Sequence, residues 1–241
     1  MNLPSTLSLT LDADGRRVPI EVAVRRLVNA GYVGRNQAAV RAHIAELAAE
    51  GIAPPASLPV LFPLAADNIT TAERIEVLGE QTSGEVEFVL LVSRDDVLVG
   101  VGSDHTDRAL ERQSVGKSKQ VCKNVVSPDV WRYRDVRDHW DELILRSWVH
   151  CPVTGREIIY QQGALAEILS ADDLLQLVRS RLSDGQGEGL VIFSGTLPAL
   201  GGKFIASDYF RGELHDPRTE KTLRCVYRPV VLQYLTGAET S

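Results

Sequence analysis

The segment SGEVEFVLLV, residues 83–92, sets two carboxylates into a mostly apolar run. Alternation along a β-strand sends residues i and i+2 to the same face, so Glu85 and Glu87 point the same way. Unless that face meets water, the repulsion between the two glutamates has to be relieved by a cation or a proton. The segment therefore predicts a strand with either a cation site or a solvent-facing edge.

The composition is that of an ordinary globular protein. The chain has 241 residues, of which 44% are hydrophobic and 24% are charged, so it can bury a full core as one elaborate domain or two small ones. Its net charge of -6 and its pI of about 5.4 argue against nucleic acid as the main partner. Three cysteines without metal-type spacing, no secretory signal pattern and no apolar run of membrane length favour a cytoplasmic protein with no membrane partner.

The order of helix and strand patterns predicts an α+β protein that is mostly β. Residues 7–22 have the pattern of a hairpin, and residues 35–51 that of a helix that Asn36 can cap. Prolines break residues 52–65 into an extended loop, and a second helix is predicted over residues 171–185. Further strands are predicted at 74–79, 85–92 and 97–103, in a hairpin over 142–163, and at 189–202, 204–214 and 223–235.

A third carboxylate follows in the segment VGSDHTDRALE, residues 101–111. Asp104 lies 17 residues after Glu87 (104 minus 87), at the end of the next predicted strand. If the two strands form a hairpin, Asp104 returns to the same end of the sheet as the glutamates, and the three carboxylates would suit a hard divalent cation. His105 is its neighbour, and because adjacent strand residues face opposite ways, the two cannot both face that cation.

Four short motifs occur in an order that resembles the fumarylacetoacetate hydrolase family: EVE at 85–87, SDHTDR at 103–108, GKS at 116–118 and GLVIFSGTLPALG at 189–201. The resemblance spans roughly residues 30 to 215 and is to a divergent bacterial branch. It implies an α+β, mostly β fold with a mixed, rolled β-sheet and flanking helices. It further implies an N-terminal hairpin and lid-helix region over residues 1–60 and a metal-binding catalytic domain over residues 61–241.

The resemblance also implies roles for individual residues. The implied metal ligands are Glu85, Glu87 and Asp104, holding a divalent cation, Mg²⁺ first, with Mn²⁺ or Ca²⁺ as alternatives. The residues implied to act on the substrate are Lys117, as a second positive charge, and Arg108, Gly195 and Thr196, of which the last two would hold the substrate carboxylate. Two departures, Gln120 in place of a family aspartate and Leu197 within the G-T-P turn, leave the substrate itself open.

The first predicted helix carries a candidate general base. His43 and Glu46 are spaced i, i+3, which puts them on one helical face. A carboxylate beside an imidazole holds its tautomer and raises its basicity, which suits a general base near neutral pH. A chance pair on a surface helix is the alternative from the pattern alone. Hydrolytic members of the family have an H-x-x-E pair on a lid helix, so the resemblance implies a catalytic pair here.

The resemblance leads to a functional expectation with two alternatives. The expected function is a metal-dependent hydrolase that cleaves a C–C bond in a small, acylpyruvate-like 2-oxo acid through an enolate stabilised at the metal, in a cytoplasmic homodimer. On the same scaffold, the alternative is a 2-oxo acid decarboxylase, hydratase or dehydratase, or isomerase. A non-catalytic small-molecule binding protein is the second alternative. Three retained carboxylates argue against it, because an unused cluster of like charges only lowers stability.

Overall fold

The computed structural model describes residues 5–13, 15–49, 54–55, 57–94, 96–183 and 187–235, and in this part the chain is mostly β. The α-helices are α1 Gln37–Ala49, α2 Arg108–Glu111, α3 Val115–Val121, α4 Tyr133–Val136 and α5 Ala171–Ser180, with 3-10 turns at Arg137–Glu142 and Leu165–Glu167. The strands are β1 Ser5–Ala13, β2 Arg16–Val24, β3 Arg26–Gly31, β4 Val60–Leu64, β5 Ile69–Thr70, β6 Arg74–Val77, β7 Thr82–Ser83, β8 Val86–Val92, β9 Val97–Asp104, β10 Thr106–Asp107, β11 Asn124–Val126, β12 Asp129–Arg132, β13 Ile144–His150, β14 Glu157–Ala164, β15 Leu190–Phe193, β16 Phe210–Asp216 and β17 Lys221–Val231.

Most of these strands join one large mixed sheet. Its order is β2-β1-β12-β9-β8-β15-β3-β4, and β11 connects β9 to β5. The pairs β1 with β12 and β15 with β3 are parallel, whereas β8 with β9 and β8 with β15 are antiparallel. A second sheet has the order β14-β13-β16-β17-β6, and β7 pairs with β10. The predicted mixed, mostly β architecture with few helices is therefore confirmed.

Strand β8 lies at the centre of the packing because both of its faces are covered. Every residue of Val86–Val92 is buried. Phe88 and Leu90 belong to the apolar cluster shared with the second sheet, while Val89 and Leu91 belong to a cluster shared with the N-terminal hairpin. Burying an aliphatic or aromatic side chain of this size contributes roughly 1.5–3 kcal/mol, so this strand is held firmly on both sides.

The predicted cap by Asn36 is confirmed, and the second predicted helix begins at Ala171 as expected but ends at Ser180. The side chain of Asn36 accepts a hydrogen bond from the N–H of Ala39 at 3.1 Å, at the start of α1. The hydroxyl of Ser170 accepts a hydrogen bond from the N–H of Asp173 at 3.2 Å, at the start of α5. Each interaction satisfies one of the backbone donors that the first turn of a helix leaves unpaired.

The proposed boundary after residue 60 falls directly after the first residue of β4, and strands from both sides of it pair in the large sheet. Strand β1 pairs with β12, and β3 pairs with β15 and β4. The N-terminal region thus contributes β1, β2 and β3 to the sheet that carries β8. None of the helices in the described ranges is long and apolar enough to cross a bilayer.

Candidate metal centre

The β8–β9 hairpin brings three carboxylates together at one end of the large sheet. Glu87 is paired with Gly102, and the N–H of Asp104 donates to the carbonyl oxygen of Glu85 at 3.1 Å. One ligand oxygen from each of the three acidic residues lies within 4.8 Å of the others. Glu87 is 1% exposed and Asp104 is fully buried, so the alternative of a solvent-facing strand edge is wrong.

Two buried cations compensate part of this negative charge. The ammonium group of Lys119 makes a short contact with Oδ2 of Asp104 and lies 3.7 Å from Oε2 of Glu85. The guanidinium group of Arg108 lies 3.0 Å from Oε1 of Glu85 and also donates to Oε2 of Glu111 at 2.8 Å. Because Arg108 is shared between two glutamates, the cluster retains an excess of negative charge when all its carboxylates are ionised.

The protonation of Glu87 reflects this excess. Burial, the charge of Asp104 and that of Glu85 together hold the pKa of Glu87 well above its usual range, although Lys119 and the N–H of Gly195 oppose the shift. Burial also raises the pKa of Asp104, with Lys119 opposing. For Glu85, burial acts upward, but Arg108 and Lys119 outweigh it and leave the pKa lowered. Without a further cation, Glu87 is the carboxyl that keeps a proton.

The donor set fits a hard divalent cation. Three carboxylates supply oxygen ligands only, which is the preference of Mg²⁺ and Ca²⁺, and these cations commonly complete their shells with water or substrate. The pKa of Glu87 is raised because the residue is buried and the cluster has too little positive charge for its three carboxylates. A divalent cation among Glu85, Glu87 and Asp104 would supply that positive charge. The three residues can therefore hold the divalent cation that the sequence predicts.

The structure places Lys117 and Lys119 differently, although both lie on α3. Lys117 is exposed, and no described residue forms a salt bridge with it, so the structure does not bring it to the carboxylates. Lys119 is buried, and its pKa is raised because the nearby Asp104 and Glu85 outweigh the opposing effect of burial. Beside Arg108, the positive charge at the cluster thus comes from Lys119 and not from Lys117, to which the G-K-S motif pointed.

Gly195 lies against the cluster and supports Glu87. Its N–H donates to Oε2 of Glu87 at 2.9 Å. Its φ is +82°, and an added Cβ would lie 2.5 Å from Cγ2 of Val33, so another residue would have to displace the backbone that makes this hydrogen bond.

Thr196 and Arg108 are also engaged with the protein. The Thr196 hydroxyl donates to the carbonyl oxygen of Val86 at 2.7 Å and accepts from Nε2 of Gln161 at 2.8 Å. Nε of Arg108 donates to the hydroxyl of Ser83 at 2.7 Å. In this arrangement Gly195, Thr196 and Arg108 hold the carboxylates and the adjoining strands, and their proposed contact with substrate stays a prediction.

A buried polar chain that sequence reasoning missed lies behind the cluster. Ser103 accepts a hydrogen bond from the N–H of Glu85 at 3.1 Å and is 2.8 Å from the hydroxyl of Tyr227, which is in turn 2.8 Å from Nδ1 of His105. Burial lowers the pKa of His105 to about 3, so its ring is neutral. As strand alternation requires, His105 faces Tyr227 while Asp104 faces the glutamates. No sequence motif marks Tyr227, which lies 123 residues further along the chain than Asp104 (227 minus 104).

The predicted pair His43 and Glu46 lies on α1, whose backbone from Gln37 to Ala49 is helical as expected. The side chains of His43 and Glu46 lie outside the part of the chain that the structure describes. Their role as a general base and its orienting carboxylate therefore stays a prediction.

Comparison with known sequences gives one family. A family model described as "Protein of unknown function (DUF2848)" matches residues 30–227, which is most of the chain. Among curated proteins, no sequence matches.

Comparison with solved structures gives a consistent fold. Cg1458 with inhibitor has a TM-score of 0.61 and 16% identity, covering 91% of this chain and 84% of that chain. 2-Keto-3-deoxy-D-arabinonate dehydratase complexed with magnesium and 2,5-dioxopentanoate has a TM-score of 0.59 and 11% identity, covering 91% and 86%. 4-Oxalocrotonate decarboxylase from Pseudomonas putida G7, complexed with calcium and acetate, has a TM-score of 0.52 and 13% identity, covering 84% and 76%. Identities this low show a shared fold, and the predicted fumarylacetoacetate hydrolase-type architecture is confirmed.

Proposed function

The chain belongs to the DUF2848 family, and from that premise we propose that it is a divalent-metal-dependent enzyme acting on a small 2-oxo acid through an enolate. The observation that carries the proposal is the buried cluster of Glu85, Glu87 and Asp104 beside the charged amine of Lys119. The similar solved structures support it, because two of them are named as enzymes of 2-oxo acids and are complexed with magnesium or calcium.

The residues of this chain have separate tasks in the proposed reaction. Glu85, Glu87 and Asp104 would hold the cation, and Glu87 would release its proton when the cation binds. The cation would supply Lewis acidity, which makes a 2-oxo acid easier to convert to its enolate. Lys119 keeps its positive charge because its pKa is raised, and it offsets negative charge that develops on the substrate. Arg108 keeps Glu85 ionised and oriented.

For the reaction type, we propose hydrolysis of a C–C bond in an acylpyruvate-like acid. In that reaction Glu46 orients His43, and His43 takes a proton from the water that attacks the distal carbonyl carbon. The spacing of the two residues on α1 supports this proposal, together with the proline-rich segment that follows the helix and could act as its hinge.

A lyase or isomerase that uses the same enolate is the second candidate. It is favoured by the placement of Lys119 at the carboxylates. From there its amine can stabilise the negative charge of an enolate without any residue of α1. The names of the dehydratase and the decarboxylase among the similar structures point the same way. Incubation in ¹⁸O-labelled water separates the candidates, because C–C hydrolysis places the label in the carboxylic acid product and decarboxylation does not.

The metal dependence is tested on purified protein by elemental analysis and by turnover of a panel of 2-oxo acids with and without EDTA. We expect Glu87→Gln to lose metal and activity together, because the neutral amide of glutamine replaces a negatively charged carboxylate ligand. Glu80→Gln, the same change at an exposed position, is the matched control and should retain both. Full activity of Glu87→Gln in EDTA would contradict the proposed function.

We also propose that the protein works as a cytoplasmic homodimer, which rests on the family resemblance. Its molar mass in solution, measured by light scattering, tests the dimer: a single species at the mass of one chain would contradict it.

A further inference from the structure

The connection from β3 to α1 contains a residue in a strained conformation. Tyr32 directly follows β3 and has a φ of 58°, in the left-handed region, where Cβ crowds the following carbonyl oxygen. Glu220 has a similar φ of 57°, but it lies in the tight connection between β16 and β17, where hairpin turns need such a residue. No hairpin explains Tyr32. Non-glycine residues held in this region concentrate at functional sites, so the surroundings of Tyr32 are informative.

The residue before Tyr32 places it near the amine of Lys119. A Cβ added at Gly31 would lie 3.3 Å from the ring of Phe62, so the backbone at this point rests on that ring. The same ring has its centroid 5.9 Å from Nζ of Lys119. The residue before Tyr32 therefore lies against the ring of Phe62, which is also close to the buried amine of Lys119.

The residue after Tyr32 places it near the carboxylate of Glu87. The side chain of Val33 packs directly on Gly195, within 2.5 Å of where a Cβ would stand. Gly195 in turn donates its N–H to Glu87 at 2.9 Å. Tyr32 thus lies between two segments that each contact the candidate metal centre.

The phenol of Tyr32 is a hydrogen-bond donor that the protein leaves available. Its side chain is partly exposed, and among the described residues its hydroxyl has no hydrogen-bond partner. Burial and then the charge of Glu111 raise the pKa of Tyr32, while Lys119 lowers it, so the phenol stays protonated at neutral pH. The neighbours of Tyr32 in the chain, Gly31 and Val33, contact Phe62 and Gly195 beside the cluster, so the phenol is held in the vicinity of the candidate metal centre.

We propose that Tyr32 contacts the substrate and donates a hydrogen bond from its hydroxyl to a neutral oxygen, a hydroxyl or carbonyl, that the 2-oxo acid carries beyond its oxo group. The inference rests on the proposed function, in which the carboxylate and the 2-oxygen are already held at the metal centre and by Lys119. The protonated phenol carries no charge that could balance a second carboxylate, so the distal oxygen is a neutral one. The substrate class is accordingly an oxygen-bearing 2-oxo acid and not a simple alkyl one.

The test uses two unreactive oxamates of equal size, N-propyloxamate and N-(2-hydroxyethyl)oxamate. Both present a carboxylate next to an amide oxygen, as a 2-oxo acid does, and only the second has a hydroxyl. Affinities are measured by calorimetry in the presence of Mg²⁺ for the wild-type protein, for Tyr32→Phe and for the control Tyr234→Phe, which alters an exposed tyrosine. Phenylalanine keeps the ring and the Cβ of Tyr32, so only the hydroxyl is lost, and equal melting temperatures verify this.

We expect Tyr32→Phe to weaken binding of the hydroxyethyl compound about fivefold to tenfold, the effect of one hydrogen bond, and to leave the propyl compound unchanged. Tyr234→Phe should change neither affinity. Equal losses for both compounds, or no loss for either, would overturn the role of Tyr32. A parallel titration with oxalate and Mg²⁺ separates failure of the Tyr32 role from failure of the proposed function. If oxalate binds but Tyr32→Phe does not weaken the hydroxyethyl compound, only the role of Tyr32 fails. If oxalate does not bind, the proposed function fails and the role of Tyr32 with it.

Discussion

At the scale of single residues, the chemistry of the site depends on which of two lysines reaches the carboxylates. Lys117 and Lys119 are two positions apart on α3, and residues at that spacing point to nearly opposite sides of a helix. The buried side of α3 carries Ser118 and Lys119. The amine of Lys119 is therefore the charge that balances Asp104 and, together with Arg108, Glu85, and the exposed Lys117 provides a matched comparison.

The first prediction compares Lys119→Met with Lys117→Met. Methionine keeps a similar length but removes the charge, so Lys119→Met leaves Asp104 without its cationic partner, whereas Glu85 keeps Arg108. We expect turnover to fall by a factor on the order of 10² or more, and the apo protein to lose about 3–5 kcal/mol of unfolding free energy, as when one member of a buried ion pair is removed. Metal-dependent turnover and urea unfolding measure the two effects.

The unfolding free energy of Lys117→Met should stay within about 0.5 kcal/mol of the wild-type value, as expected for a surface substitution. Its turnover should be unchanged. The reverse pattern, an inactive Lys117 variant with an active Lys119 variant, would restore the assignment made from the G-K-S motif.

At the scale of elements, α1 decides between the two candidate reactions. For hydrolysis, His43→Ala and Glu46→Gln should each lower kcat by a factor on the order of 10² to 10⁴, the range for loss of a general base. Metal affinity and oxalate binding should remain, because neither residue is a proposed ligand. Arg41→Ala, at an exposed position on the same helix, is the control for helix stability. Near wild-type turnover of both variants, alongside an inactive Glu85→Gln, would favour the lyase or isomerase candidate.

The hairpin β16–β17 depends on the carboxylate of Asp216. This carboxylate accepts hydrogen bonds from the N–H of Arg218 at 2.8 Å and the hydroxyl of Thr219 at 2.8 Å, and it lies 3.0 Å from Nε2 of His139. Burial alone would raise its pKa, but the bonds from His139, Thr219 and Arg218 outweigh burial and lower the pKa of Asp216. The ionised form of Asp216 therefore stabilises the folded protein.

The third prediction follows from this lowered pKa. Since the folded-state pKa lies below that of the unfolded chain, about 3.9, the stabilisation is complete above that pH and is lost as the pH falls through the folded-state value. Asp216→Asn should lower the unfolding free energy by about 1–3 kcal/mol at pH 7. The difference from the wild type should shrink below about pH 4. Urea unfolding at several pH values measures it, with the exposed Asp67→Asn as control. A deficit that does not change with pH would mean that Asp216 acts through packing alone.

At the scale of the whole molecule, the candidate metal centre links ligand binding to folding. Glu87 and Asp104 lie on two paired strands of the large sheet and Glu85 directly precedes the first of them, so a bound cation joins segments that separate on unfolding. A ligand that binds only the folded state stabilises it by about 2.7 kcal/mol at a concentration one hundred times its Kd. The stability of the entire fold should therefore report on the metal centre.

The fourth prediction is that Mg²⁺ raises the melting temperature and that oxalate raises it further only when Mg²⁺ is present. EDTA should abolish both shifts, and Glu87→Gln should lack them because its amide is a weaker ligand for a hard cation. Differential scanning calorimetry with and without each component makes the measurement. Stabilisation by oxalate in the presence of EDTA would indicate an anion site elsewhere and would count against a 2-oxo acid at this centre.

The sequence alone was sufficient for features that depend on neighbours in the chain. Alternation put Glu85 and Glu87 on one face, and the short β8–β9 connection returned Asp104 to the same end, because a hairpin has few ways to close. The helix start at Asn36 and the hairpin at 7–22 likewise follow from local hydrogen bonding and turn chemistry. The order of the motifs was enough to indicate the mixed, rolled sheet.

Tertiary structure decided which groups close the site. The sequence contains both lysines of α3, and only packing of the helix against the sheet selects Lys119 for burial. The hydroxyl of Tyr227 reaches Ser103 behind the cluster, and Val33, next to Tyr32, packs on Gly195, through pairings such as β15 with β3 that no local pattern specifies. Local hydrogen bonds and alternation are encoded within a few residues, whereas the charge balance of a buried cluster depends on contacts between segments that only the complete fold brings together.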